Sequence, residues 1–184
     1  MIEGAQWLKW PAYRSTYISH VGAFVVQAAA HGATAGFWWL LNPVGSTSRL
    51  YMRRVDFVSQ VGSVLLTPTS PRVTLERMTF TGGPPSGPTV TPATALSGAP
   101  AATGTIRTST AGISPAGGAA FHAFLPVACM TAAGASPADP HIYDPDAPIE
   151  LIAGEGIVCR QPDAGTGADT RRFAMTLYWS EFTP

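Results

Sequence analysis

The stretch Arg172–Phe182 alternates between bulky apolar residues and small or polar ones with a period of two. Phe173, Met175, Leu177 and Trp179 fall on one face; Ala174, Thr176, Tyr178 and Ser180 fall on the other. Successive side chains of a strand point to opposite sides of a sheet, whereas a helix spreads such a series around its circumference. This segment therefore demands a sheet with one face buried against a second layer.

Composition agrees with a sheet protein. At 184 residues the chain suits one domain, with length for a core plus an arm or long loops. Nineteen Gly and seventeen Pro, among abundant Ala and Thr, place it with turn-rich all-β proteins. Charged residues make up only 12% and cancel to zero, which suits a chain that lives in an assembly. The eleven basic residues, ten of them Arg, are scattered. Arg53 with Arg54 and Arg171 with Arg172 sit at or within strands, so no basic footprint for nucleic acid forms.

Cys129 and Cys159 lack C-x-x-C spacing and lie in apolar, strand-like surroundings. Two buried free thiols are the simpler reading, and a disulfide between neighbouring strands is the alternative. The first seven residues show no basic region followed by an apolar run and do not read as a secretory signal. Residues 21–41 are uncharged over a length that spans a bilayer. Gln27, His31 and the turn-like His31-Gly-Ala-Thr-Ala-Gly36 divide that stretch into two strands, so no membrane partner is expected.

Residues 1–20 read as an N-terminal arm and residues 21–184 as the β-sandwich domain. Trp7, Leu8, Trp10 and Tyr13 stand on the arm outside any sustained period, and Pro11 keeps the stretch from joining a helix. Indoles on a free arm are an aggregation liability, so these four residues are the candidate partner-binding set. Residues 37–41 form a compact buried strand stopped by the turn chemistry of Asn42-Pro43-Val44-Gly45-Ser46. Trp38 and Trp39 point to opposite faces of it, so at most one lies in the core. Residues 50–58 put Tyr51, Val55 and Phe57 on one face and Arg54 with Asp56 on the other. Over 72–80 the phase slips from Val73 and Leu75 to Met78 and Phe80, which a β-bulge near Glu76 and Arg77 would repair.

Between 81 and 118 the chain turns to Gly, Pro, Ser, Thr and Ala. A structureless loop of that length is uncommon inside a compact domain. The stretch is expected to hold extended edge segments or to reach a neighbouring subunit. Residues 119–130 resume alternation, with Phe121, Ala123, Leu125 and Val127 on one face, His122 on the other, and Pro126 arguing for an edge. A strand pair follows around residues 149–159. Eight or nine strands with regular turn signals predict an all-β, antiparallel β-sandwich, jelly-roll-like, with an extended N-terminal arm. Phe173, Met175, Leu177, Trp179, Val55, Phe57, Leu151 and Phe121 are expected to share its core.

Chemistry is sparse. There is no G-x-S-x-G elbow. His20, His31, His122 and His141 stand far apart, with no H-x-H or H-E-x-x-H. Asp139-Pro-His-Ile-Tyr-Asp-Pro-Asp146 is the best cation candidate, since hard cations take several oxygens from one loop, yet its prolines read as turn formers. Glu150, Glu155 and Glu181 are candidates for a glycosidase carboxylate pair. Glu155 between Gly154 and Gly156 reads more simply as a turn, and nothing fixes a separation for any two. No enzyme, cofactor or metal is expected. Five tryptophans keep a carbohydrate- or receptor-binding module open as the alternative, because sugars stack on exposed rings.

Three segments resemble small structural proteins of tailed-phage particles. They are Phe37-Trp-Trp-Leu-Leu-Asn-Pro-Val-Gly-Ser-Thr-Ser-Arg-Leu-Tyr-Met-Arg-Arg-Val55, Ile149-Glu-Leu-Ile-Ala-Gly-Glu-Gly-Ile-Val-Cys-Arg160 and Leu177-Tyr-Trp-Ser-Glu181. In such proteins an aromatic strand ends in a Pro/Gly/Ser turn and resumes with a basic strand, and a Gly-Glu-Gly turn and a Trp-x-Glu ending close the sandwich. The resemblance spans roughly residues 35–182, through short motifs. It implies a capsid decoration or cement protein on the virion surface, bound to the major capsid protein lattice as a homotrimer and carrying no catalytic residues.

Overall fold

The computed structural model describes residues 15–32, 35–60, 72–80, 86–95, 97–110, 115–124, 130–131, 134–135, 141–165 and 172–184. Within them the chain forms strands only. These are β1 (Ser15–Val25), β2 (Gly36–Leu41), β3 (Arg49–Gln60), β4 (Val73–Phe80), β5 (Thr89–Val90), β6 (Ala93–Thr94), β7 (Thr105–Thr110), β8 (Pro115–Phe124), β9 (Met130–Thr131), β10 (Gly134–Ala135), β11 (His141–Tyr143), β12 (Ile149–Leu151), β13 (Glu155–Arg160) and β14 (Arg172–Phe182).

Every ladder is antiparallel. One six-stranded sheet, sheet A, runs β11–β3–β14–β1–β6, with β12 also on β3; the other, sheet B, runs β5–β7–β2–β13–β4–β8. β9 and β10 form a separate ribbon. Setting aside the inserted β5, β6 and β7, the chain alternates between sheets through β1, β2, β3 and β4, and β8 stays beside β4. It then alternates again through β11 with β12, β13 and β14. The inner orders, β1–β14–β3–β11/β12 against β2–β13–β4–β8, are those of a jelly roll, as the sequence predicts.

The alternating segment is the centre of sheet A. β14 pairs with β1 from Ser15↔Glu181 to Val25↔Arg172 and with β3 from Phe182↔Arg49 to Arg172↔Gln60. The residues Ser15 to His20, which sequence alone assigns to the arm, thus belong to β1. Phe173, Met175, Leu177, Trp179, Val55, Phe57 and Leu151 are all buried in one core. Burial of each such side chain contributes roughly 1.5–3 kcal/mol. Tyr17 stacks on Trp179 with ring centroids 5.5 Å apart, Phe57 stacks on Phe124 at 4.9 Å, and Trp38 Nε1 donates to Met175 Sδ at 3.1 Å.

Several local readings change. Phe121 is only half-buried at the edge of that core, and Phe124 takes the buried place. The reason is an irregularity: Leu75 pairs with His122 but Glu76 with Ala120, so Phe121 is an extra residue on β8 and shifts the phase. The bulge expected in β4 therefore lies in its partner. β4 keeps regular register with β13 and buries residues on both faces, Val73 and Leu75 in the main core, Met78 and Phe80 in a second cluster. In β3 the ladder slips between Met52 and Arg54. Leu50 and Met52 are buried while Tyr51 turns outward, opposite to its sequence reading.

Trp39 departs furthest from expectation. It does point away from Trp38, but both are fully buried. Trp39, Leu41, Met78, Phe80 and Val158 form a compact cluster on the outer face of sheet B, with the Trp39 and Phe80 rings 5.3 Å apart. The sandwich is thus apolar on both sides of sheet B.

The 81–118 stretch supplies edges, the first of the two expected alternatives. β7 extends sheet B beyond β2 and β5 pairs with β7, while β6 extends sheet A beyond β1. The excursion from β4 to β8 thus adds strands to both sheets on the side of the sandwich where β1 and β2 lie.

Candidate functional site

The sequence-named partner set, Trp7, Leu8, Trp10 and Tyr13, lies outside the described residues, as do Cys129 and Asp139. The other candidates are placed. The three glutamates do not converge. Glu150 pairs with Tyr51 and Glu181 with Leu50, successive residues of β3 that face opposite ways, so the two carboxylates lie on opposite faces of sheet A. Each is held by structural partners. Glu150 accepts from Arg49 Nη1 and from Tyr51 Oη at 3.3 Å. Glu155 accepts from Arg77 Nη2 at 2.7 Å and from the Ile152 amide at 3.0 Å, inside a turn in which Gly154 holds φ +82°. Glu181 is buried and accepts from the Thr103 and Gly104 amides, both at 2.8 Å, and from Trp179 Nε1 at 3.2 Å.

Among the described residues, no three His, Cys, Asp or Glu side chains gather as a metal site. Asp144 and Asp146 are exposed beyond β11. Cys159 is a buried free thiol, 3.8 Å from Met175 Sδ; burial first, and the Glu76 charge second, push its pKa well up and leave it inert as a nucleophile. No helix of the described residues is long and apolar enough to cross a membrane.

The two outer faces of the sandwich differ in kind. On sheet A, Arg54 grips Asp56 through two nitrogens and lies over the Tyr178 ring at 5.6 Å, and Tyr178 Oη donates to Asp56 Oδ2 at 3.2 Å. Arg53 Nε donates to Ser180 Oγ at 2.6 Å, and His20 Nδ1 meets Thr176 Oγ1 at 2.8 Å. This is a solvated face laced by polar pairs, each of modest energetic weight. On sheet B, Arg160 lies over Trp39 at 5.8 Å and faces Glu76 at 3.6 Å, with burial lowering its pKa against the raising effect of Glu76. Trp39 pairs across the ladder with Arg107, whose Nη1 donates to Gly87 O at 2.9 Å. Trp39 Nε1 and Arg107 Nε have no acceptor among the described residues.

Two concave or aromatic features complete the surface. An open cleft of about 490 Å3 lies between the end of β1 and the start of β2, lined by Phe24, Val26, Gln27, His31, Ala35 and Phe37 among others, and among the described residues by no charged side chain. His31 Nδ1 accepts the Gln161 amide at 3.0 Å, and its ring meets Phe37 edge-on at 4.3 Å. Burial, and secondarily the positive Arg160, lower its pKa to about 4. At the opposite end of the sheets, half-buried Tyr143 touches His122 at 4.5 Å and Phe121 at 5.6 Å, bridging β11 to β8. The bulge at Phe121 brings both rings to Tyr143, so His122 is not the plain surface residue its parity suggests.

The sequence pointed to edge segments in the 81–118 stretch but not to how bare of charge those edges are. Arg107 is the one Asp, Glu, Lys or Arg between Arg77 and Asp139. The strands that end sheet B on both sides, β5 and β8, and β6 at the end of sheet A, all come from this segment. The signal was the position of the charge-free run rather than its composition. Comparison with family models, curated proteins and solved structures finds no match.

Proposed function

We propose that this chain is a non-enzymatic structural protein of a virus particle, decorating or cementing a tailed-phage capsid by binding the major capsid protein lattice as an oligomer. The observation that carries the reading is the charge distribution over the sheet edges. Monomeric sheet proteins guard their edges with Lys and other charges, because a bare edge templates pairing with another chain. Here β5, β6 and β8 come from a segment whose one charged residue is Arg107. Such edges suit a molecule whose neighbours cover them. The jelly-roll strand order, an architecture used by capsid proteins, and the engagement of Glu150, Glu155 and Glu181 in structural hydrogen bonds support the same reading.

A second reading, a carbohydrate- or receptor-binding module, draws on the half-buried Phe121, His122 and Tyr143 rings gathered between β8 and β11. Co-sedimentation with capsids separates the two. The purified chain is expected to pellet with particles and to pass a glycan array without retention. Retention on glycans with no particle binding would overturn the virion reading in favour of the second.

A further inference from the structure

We propose that β8 is a self-pairing edge. Its open side takes β8 of a second copy, antiparallel about a two-fold axis, and joins two six-stranded sheets into one continuous sheet. The inference rests on the assembly reading above and names its first contact.

Among the described residues, no strand pairs with β8 on the side away from β4. The edge strands β5, β6, β11 and β12 are two or three residues long and offer little template, whereas β8 covers Pro115–Phe124. Among the described residues, β1 is also open beyond β6 from Ser19 to Val25, but its ladder to β14 skips Gly22 and Ala23. The β8 ladder slips as well, yet Ala119, Ala120 and Ala123 are exposed and small, so a second backbone can approach closely.

The sequence of the strand selects the occupant. Its first half, Pro115-Ala-Gly-Gly-Ala119, is small; its second half, Ala120-Phe-His-Ala-Phe124, carries three rings. An antiparallel ladder centred on Ala120 sets Phe121 opposite Ala119 of the second copy, His122 opposite its Gly118 and Phe124 opposite its Ala116. Every ring meets a small residue, so no bulky pair is forced across the seam. Charge offers no resistance either, because no Asp, Glu, Lys or Arg lies between Arg107 and Asp139. The virion resemblance implies three-fold symmetry; the size pattern of β8 instead favours a two-fold.

Light scattering of the full chain at micromolar concentration tests this. The expected mass is twice the 19.2 kDa of one chain. Ala120→Lys places like charges on the axis at an exposed position and should give a monomer of unchanged melting temperature. Ala120→Glu should do the same alone, and an equimolar mixture of the two should regain the dimer mass. Ala119→Lys, exposed and diagonally across the axis from its own copy, provides the same reading if the Ala120 variants lose their fold. A wild-type monomer, a trimer, or a dimer that survives these folded Lys variants overturns the proposal. Particle binding is scored separately. A chain that dimerises through β8 but never binds capsids keeps the seam and discards the virion reading; a wild-type monomer that binds capsids does the reverse.

Discussion

Glu181 and Gly104 stand 77 residues apart in sequence, and the Gly104 amide donates to Glu181 Oε1 over 2.8 Å. The neighbouring Thr103 amide donates to Oε2 at the same distance, and Trp179 Nε1 adds a third bond from within β14. One buried carboxylate thus fastens the long excursion to the central strand of sheet A. Glycine lets residue 104 approach this closely: a Cβ there would stand 2.6 Å from Leu50 Cδ2 and 3.2 Å from Glu181 Oε1, so the Leu50 side chain would have to shift.

Glu181→Ala leaves three donors without their acceptor. The expected loss of stability is on the order of 1–3 kcal/mol in urea unfolding, together with faster amide exchange at Thr103 and Gly104. Exchange that stays as slow as in the wild type would show that the clamp does not hold the excursion.

The two cores give a paired prediction. Trp179→Ala should cost roughly 3–5 kcal/mol, as a large-to-small change in the main core. Trp39→Ala should cost a similar amount although it points away from that core, since it is fully buried against Phe80 and Val158. A Trp39→Ala variant within about 0.5 kcal/mol of wild type, the range of ordinary surface substitutions, would mean the outer cluster is not a core at all.

These residues also mark how far the sequence could be read. β14 was legible because its period of two runs unbroken and one face is entirely bulky. β3, β4 and β8 were read with the wrong phase or the wrong bulge, because a single extra residue, Arg53 or Phe121, exchanges faces for everything beyond it. Trp39 was misjudged because parity tells which way a side chain points, not whether that side is covered. Of the candidate site, Glu155 in its glycine turn was legible from neighbouring residues. The Glu181 clamp and the Arg160–Trp39 contact depend on segments far apart in sequence, which no local pattern reports.

His31 supplies a pH dependence. Its pKa is lowered from 6.5 to about 4, by burial first and Arg160 second. The unfolded chain takes up this proton near pH 6.5, the folded chain only near pH 4, so between those values the unfolded state binds more protons. Stability therefore falls as the pH drops through that window, is unaffected by His31 above it, and is fully reduced below it. In His31→Asn the amide oxygen can still accept the Gln161 amide without titrating. Wild type should lose more melting temperature than this variant between pH 6.5 and pH 4; parallel curves would show that His31 protonates equally in both states.

The arm yields the last prediction. Trp7, Leu8 and Trp10 precede β1, which begins at Ser15 and is paired with β14 from Ser15 to Val21 and again at Phe24 and Val25. The core of the described residues is filled by Tyr17, Trp38, Trp179 and their neighbours. Each large aromatic on the arm removes on the order of 150–250 Å² from water when covered, so two indoles can anchor a partner strongly. Deleting residues 1–12 is expected to leave the melting temperature of the sandwich nearly unchanged while sharply weakening co-sedimentation with capsids. A truncated chain that binds particles as tightly as the full one would remove the arm as an anchor. One that fails to fold would place Trp7 and Trp10 in the domain's own packing and move the search for the capsid contact to the uncharged edges.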